Sequence, residues 1–167
     1  MIVYLDTNIF SRITDLKISD ETALAYQKIS EDSEIKLVTS AKTKSEFQGT
    51  PNKARASMLL FLFSLFEKVP MEVSSYSGAI NSAPLGMCTL NGGWTHPRLI
   101  ALRKIFDSDD AMHIFQAQQS KCNYFLTLDE KTILSRVRLN QELVSSICPG
   151  LKFCSPVELS QILVIGA

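Results

Sequence analysis

The chain has 167 residues, 46% of them hydrophobic and 20% charged, with 17 Lys plus Arg against 17 Asp plus Glu. Such a length and balance suit one soluble globular domain with a real core and exclude a fibrous or disordered chain. The formal net charge of +0 excludes an overall basic field for holding nucleic acid, so any polyanion must be held by a local patch or by bound cations.

In chain order, Ile2 to Leu5 is a short apolar run that ends abruptly at Asp6-Thr7-Asn8. Apolar residues at successive positions suit a parallel strand covered on both faces. Ser19 or Asp20 can cap a helix to about Ile29, and Ile35 to Thr39 reads as a second strand. Ser40 can cap a helix carrying Glu46 and Phe47 that stops near Gly49-Thr50-Pro51. Asn52 can cap a long helix, Lys53 to about Lys68, whose apolar content is too high for one stripe and predicts a central core helix. Met71 to Val73 is a further strand candidate, and residues 74–83 fit a helix or a loop. The stretch from Pro84 to Pro97, with Asn91-Gly92-Gly93, predicts a long loop, and long loops are often functional. A helix is expected from about Arg98 to Phe106. Ser108 or Asp109 can cap another, through about Ser120. Tyr124 to Thr127 predicts a buried strand ending near Asp129, followed by a helix over 130–138. Leu151 to Cys154 predicts the last strand, and Ser155-Pro156-Val157-Glu158 has the form of a capping box that opens a last helix. Strands alternating with helices predict an α/β fold with a parallel sheet between helical layers.

The run Met58–Phe63 is broken by Ser64, Glu67 and Lys68 and is too short to span a bilayer. The start of the chain has no basic region ahead of its apolar run, so no signal peptide is expected. Cys88, Cys122, Cys148 and Cys154 show no CxxC spacing, and a reduced, cytoplasmic protein is the simpler account.

Asp6 and Asp129 both stand just past the carboxyl ends of apolar strands, where open α/β sheets place their ligand sites. Asp110 stands at the start of a helix on the same side of the sheet, and Glu46 lies in the helix that follows the second strand. Carboxylates that converge without a cluster of Lys or Arg repel one another and stay ionised only with cations present. Mg²⁺ or Mn²⁺ is the natural partner, since these ions take carboxylate oxygens, water and substrate phosphate. Such ions activate water for attack on a phosphodiester.

Three segments carry a family resemblance. Ile2-Val-Tyr-Leu-Asp-Thr-Asn8, Asp110-Ala-Met-His-Ile-Phe-Gln-Ala117 and Tyr124-Phe-Leu-Thr-Leu-Asp129 together resemble the motifs of PIN-domain nucleases, the group that includes the VapC-type toxins of toxin–antitoxin pairs. Ser40 to Phe47 fits the variable segment that supplies a Glu. The resemblance implies a three-layer α/β/α sandwich with a central parallel sheet. It implies one domain over 1–167, with a longer and non-basic variable segment at about 70–106. It implies a Mg²⁺- or Mn²⁺-dependent endoribonuclease with Asp6, Glu46, Asp110 and Asp129 as catalytic, metal-binding acids. Thr7, Asn8 and Thr127 would be polar supports. The expected partners are RNA, single-stranded or unpaired, an antitoxin protein and a second copy of the chain, but no membrane.

Each residue also has a plainer reading. Asp6 suits a turn, Asp110 a favourable place in a first helical turn, Glu46 a solvated helix face and Asp129 a helix cap. Asp107 and Asp109 compete with Asp110, which Ala111 and the family pattern favour. His113 reads as a packed or surface histidine. Trp94, with His96 and Tyr76, could stack an unpaired base, or Trp94 could anchor its loop. Arg98, Arg103 and Lys104 suit phosphate contacts or a solvated face, and the Phe-rich helix suits the core or a dimer surface. One further reading is an interaction module of the same fold with a lapsed site. Another is a phosphotransferase with a nucleophilic Asp6, but the chain has Asn8 where that class carries a second Asp.

Overall fold

The computed structural model describes residues 1–69 and 96–165. Its strands are β1 (Ile2–Leu5), β2 (Lys36–Ser40), β3 (Glu67–Val69), β4 (Tyr124–Leu126) and β5 (Lys152–Cys154), joined in one parallel sheet of order β3-β2-β1-β4-β5. Its helices are α1 (Thr7–Thr14), α2 (Asp20–Glu31), α3 (Ala41–Gln48), α4 (Lys53–Ser64), α5 (Pro97–Leu102), α6 (Ser108–Gln119), α7 (Ser135–Leu139), α8 (Gln141–Ile147) and α9 (Pro156–Ile165), with one π-helical turn at Glu130–Leu134.

The alternation of side chains along β1 and β4 sorts the core into two layers. Tyr4 and Phe125 point to one face, where they pack with Leu99 and Leu102 of α5, Ala111, Ile114 and Phe115 of α6, and Val144 and Ile147 of α8. Val3, Leu5 and Leu126 point to the other, against Ile9 and Phe10 of α1, Ile29 of α2, Phe47 of α3, Leu59 and Phe63 of α4 and Leu159 of α9. The result is a three-layer α/β/α sandwich about a central parallel sheet. Both strands are apolar at every position because helices cover both faces. No helix among the described residues is long and apolar enough to cross a membrane. Cys122, Cys148 and Cys154 are buried free thiols.

The strand order places the site. The chain leaves β1 toward β2 and β3 on one side and returns to β4 and β5 on the other. The register pairs Leu5 with Leu126, so β1 and β4 end side by side at the point where the order reverses. In open α/β sheets a crevice opens there, beyond the carboxyl ends of the strands.

Several sequence expectations need correction. Asp6-Thr7-Asn8 is not simply a turn: Asp6 caps α1, a helix the sequence reading did not foresee. α4 ends at Ser64, and Glu67–Val69, expected in its last turn, pairs with β2 as a strand. Nor is α4 a central core helix, since Met58, Phe61 and Leu65 are 56%, 62% and 64% exposed while Leu59 and Phe63 are buried. α5 stops at Leu102, short of the expected Phe106. Asp107, rather than Ser108 or Asp109, caps α6. The helix expected over 130–138 is a π-helical turn that runs into α7, and α8 was not foreseen. The capping box holds: Ser155 N–H donates to Glu158 Oε2 at 2.7 Å and Glu158 N–H donates back to Ser155 Oγ at 3.2 Å. The strand candidate Met71–Val73, the ambiguous stretch 74–83, Tyr76 and Trp94 lie outside the described residues.

Candidate active site

Asp6 is the first residue past β1, and its backbone N–H continues the ladder by donating to Leu126 C=O at 3.0 Å. Its carboxylate is buried and hydrogen-bonded at both oxygens. Oδ1 accepts from Thr7 N–H at 2.7 Å, and Oδ2 accepts from the Thr127 hydroxyl at 2.7 Å and Asn8 Nδ2 at 2.6 Å. Thr127 is fixed in turn by its own N–H, which donates to Cys154 C=O at 3.1 Å. Asn8 also donates to Thr127 Oγ1 at 2.7 Å, and its Oδ1 accepts Leu128 N–H at 3.0 Å. Thr7, Asn8 and Thr127, expected as polar supports, all touch this acid or its neighbours. Burial raises the Asp6 pKa, against the opposing pull of His113, Thr127 and Thr7.

Asp129 caps the π-helical turn. Its Oδ1 accepts Thr132 N–H at 2.7 Å and its Oδ2 the Thr132 hydroxyl at 2.7 Å. The same hydroxyl stands 3.4 Å from Asp110 Oδ2, so one threonine links the exit of β4 to the first turn of α6. Single π turns occur often at functional sites. Burial works against the Asp129 carboxylate, yet the N–H groups and hydroxyl of the turn hold its pKa below the ordinary value. The plain cap reading of Asp129 therefore describes a real contact, and the capping residue also faces the cluster.

Of the three acids opening α6, the structure separates the roles. Asp107 caps the helix, accepting Asp110 N–H at 3.0 Å. Asp109 points outward and pairs with Lys42 at 2.7 Å. Asp110 turns to the cluster. Burial, then the like charges of Asp107, Asp6 and Asp129, push its pKa up to about 7, against the pull of His113.

Glu46 stands on α3 and is joined to Asp6 through Thr7. Its Oε2 accepts the Thr7 hydroxyl at 2.6 Å, and its Oε1 lies 2.9 Å from His113 Nε2 and 3.4 Å from Lys42 Nζ, one turn earlier in α3. Burial raises its pKa, but His113, Thr7 and Lys42 outweigh that and bring it to about 2. His113 is buried, as the packed-histidine reading expects, but it is not inert. Its Nδ1 lies 2.8 Å from Tyr4 Oη, which donates to Ser40 Oγ at 2.6 Å. Burial lowers the His113 pKa, yet Glu46 and Asp6 raise it above the ordinary value overall. Ser40 makes no side-chain cap bond to α3, contrary to expectation, because its hydroxyl serves Tyr4 instead.

The structure thus links Asp6, Glu46, Asp110 and Asp129 through shared hydrogen-bond partners at the carboxyl edge of the sheet. It does not join Arg98 to them: that side chain is exposed on α5, and no hydrogen bond or ion pair among the described residues ties it to an acid of the cluster. Sequence reasoning missed Tyr4, Lys42 and Thr132 and undervalued His113. The available signals were spacings: His113 follows Asp110 by three residues and Glu46 follows Lys42 by four, so each pair shares a helix face.

The donor set fits a hard divalent cation, since it consists of carboxylate oxygens, and Asp110 carries negative neighbours with no Lys or Arg paired to it among the described residues. As the side chains lie, however, no three Asp, Glu, His or Cys residues among the described ones are grouped closely enough to hold one ion. Each carboxylate is turned toward hydrogen-bond donors.

Comparison with known proteins gives the fold. No family model and no curated relative matches the chain. A solved structure does: a chain in the crystal structure of VapBC2 from Rickettsia felis, bound to a DNA fragment from their promoter, superposes with a TM-score of 0.54 at 12% identity, over 93% of this chain and 98% of that one. The likeness is one of backbone architecture, an α/β fold with a parallel sheet between helices.

Proposed function

We propose that the chain is a Mg²⁺- or Mn²⁺-dependent endoribonuclease of PIN type, working in the cytoplasm as the toxin of a toxin–antitoxin pair. The observation that carries this reading is the convergence of Asp6, Glu46, Asp110 and Asp129 at the carboxyl edge of the sheet, beside the switch in strand order. The sequence motifs and the shared fold with VapBC2 point the same way. An antitoxin protein is the partner this reading entails, and RNA is the substrate.

Asp6, Asp110 and Asp129, with Glu46 beside them, would hold the cation. When bound, it would polarise a phosphodiester oxygen and lower the pKa of a coordinated water. The chain's own residues prepare that site. Thr127 and Asn8 keep the Asp6 carboxylate facing the crevice from the end of β1. Thr132 keeps Asp129 beside Asp110. Burial of the acids makes their charge felt more strongly than in water. Unpaired RNA suits a chain of zero net charge, because bases can be held by stacking where phosphate attraction is weak.

A second reading, an interaction module with a lapsed site, has one observation in its favour: no three ligating side chains among the described residues lie together as placed. Cleavage assays separate the two. A single-stranded RNA and its duplex are incubated with the full chain, with Mn²⁺, with Mg²⁺ and with EDTA. Cleavage of the single strand that requires the metal, and that disappears in Asp6→Asn while the variant still melts cooperatively, is the expected outcome. Cleavage indifferent to EDTA, or preference for the duplex, contradicts the proposal. A folded chain that takes up metal without cleaving any RNA supports the lapsed module.

A further inference from the structure

This inference rests on the RNA-binding part of the reading above and concerns the group that meets the backbone of the strand. A chain of zero net charge whose site carries Asp6, Glu46, Asp110 and Asp129 repels a polyanion there unless a positive group stands beside them. Arg98, which suits a phosphate contact by sequence, is exposed on α5, and no hydrogen bond or ion pair among the described residues ties it to these acids. Lys42 is set directly against one of them.

Lys42 lies in the first turn of α3, directly beyond the carboxyl end of β2. Its Nζ is 3.4 Å from Glu46 Oε1, one turn later in the same helix, and 2.7 Å from Asp109 Oδ1 at the start of α6. The ammonium therefore bridges two helices at the rim of the acid cluster. Its two partners are unequal. Glu46 is itself pinned, by the Thr7 hydroxyl at 2.6 Å and by His113 Nε2 at 2.9 Å. The Asp109 side chain is 68% exposed. An ion pair to an exposed carboxylate holds weakly and is screened by salt. An ammonium has three N–H donors, and these carboxylates account for two of them among the described residues.

We propose that Lys42 contacts a backbone phosphate of single-stranded RNA, with Glu46 anchoring its ammonium and Asp109 standing in the phosphate's place until the strand arrives. A phosphate oxygen replaces Asp109 Oδ1 as the partner of Nζ, and the Glu46 contact stays. The exchange trades one exposed ion pair for another, so it needs no movement of α3 or α6. Lysine meets phosphate as a point charge, without the paired geometry that a guanidinium uses. Such a contact positions the strand and carries no base information, so it is independent of RNA sequence. The rival role for Lys42 is a tie between α3 and α6, and that role would make Lys42 and Asp109 equally necessary.

The test is the binding of a fluorescently labelled single-stranded RNA to the full chain in EDTA, followed by anisotropy over a salt series from about 50 to 200 mM. Lys42→Gln is expected to weaken binding by about fivefold or more at the lowest salt, and to flatten the salt slope by about 0.7, the value for one phosphate of a single strand. Lys42→Arg is expected to keep Kd within about twofold, since it keeps the charge. Asp109→Asn is expected to bind as tightly as wild type or more tightly, because it weakens the competitor for Lys42. Lys28→Gln makes the same change in net charge in the last turn of α2, and is expected to move Kd by less than about 1.5-fold. Thermal melting confirms that each variant is folded. A Lys42→Gln chain that binds like wild type, or a Lys28→Gln chain that loses as much, overturns the proposal. So does an Asp109→Asn chain weakened as much as Lys42→Gln, which would make Lys42 the tie between helices. A wild-type chain that binds no RNA in EDTA also overturns it, and leaves metal-dependent cleavage to stand or fall by its own assay. Loss of binding in Lys42→Gln, in a chain that cleaves no RNA, supports the contact and assigns it to the lapsed module.

Discussion

The Thr127 hydroxyl donates to Asp6 Oδ2 at 2.7 Å, joining residues 121 positions apart at the ends of two adjacent strands. The same oxygen accepts from Asn8 Nδ2 and from Asp129 N–H, so it sits at the centre of the polar network on the carboxyl edge. Both Thr127 and Asp6 are buried. Replacing the hydroxyl by a methyl of the same shape leaves a buried carboxylate short of a donor and two donors short of an acceptor. Thr127→Val is therefore expected to cost about 1–3 kcal/mol in urea unfolding, and Thr127→Ser much less. A Thr127→Val chain as stable as wild type would mean that water replaces the hydroxyl and that the network does not hold Asp6.

The outer face of α4 yields a second expectation. Phe61 is 62% exposed and Phe63 is 7% exposed, although both belong to one apolar run. Phe63 packs edge-on against Phe47 with ring centroids 6.4 Å apart. Phe63→Ala is expected to cost about 3–5 kcal/mol through lost transfer energy and a cavity. Phe61→Ser is expected to stay within about 0.5 kcal/mol of wild type. Equal losses at both positions would restore the central-core reading of this helix.

That contrast shows where the sequence stops being legible. The alternation of strands and helices could be read because Ile2–Leu5 and Tyr124–Leu126 are apolar at every position, as two-sided burial requires. Asp6 and Asp129 could be read because each stands directly after such a run. α4 could not be placed, because its exposed Met58 and Phe61 break the rule that apolar residues face the core, and hydrophobic periodicity has no other signal. α1 was hidden by its cap: Asp-Thr-Asn favours both turns and helix starts, and local chemistry alone does not decide between them. The role of His113 was hidden by distance. Its partners Tyr4 and Glu46 lie 109 and 67 residues away, and only the packing of α6 over β1 and beside α3 brings them together.

The pH dependence of the metal-free chain follows from Glu46 and Asp110, which act with opposite sign. Glu46 is held at about 2 against an ordinary value of 4.5, so the folded chain prefers it ionised. That contribution is complete above about pH 4.5 and is lost as the pH falls toward 2. Asp110 keeps its proton up to about pH 7 in the folded chain against 3.8 ordinarily, so the unfolded chain ionises it first. Stability therefore declines as the pH rises from about 4 through 7, and the raised Asp6 adds to the same decline. The Glu46 and Asp110 effects are each expected to be on the order of 1–3 kcal/mol after allowance for partial exposure. Without metal, the melting temperature should peak near pH 4.5–5 and fall toward pH 8. Asp110→Asn should flatten the upper limb, and Glu46→Gln the lower one. Mn²⁺ at about a hundredfold above its Kd should add about 2.7 kcal/mol at pH 7.5, through binding to the folded chain alone, and much less at pH 5, where Asp110 is protonated. Melting curves at pH 5 and 7.5, with and without Mn²⁺, make the check. A metal-free chain more stable at pH 7.5 than at pH 5, or a Mn²⁺ effect equal at both, would show that Asp110 does not face the uncompensated negative charge assigned to it.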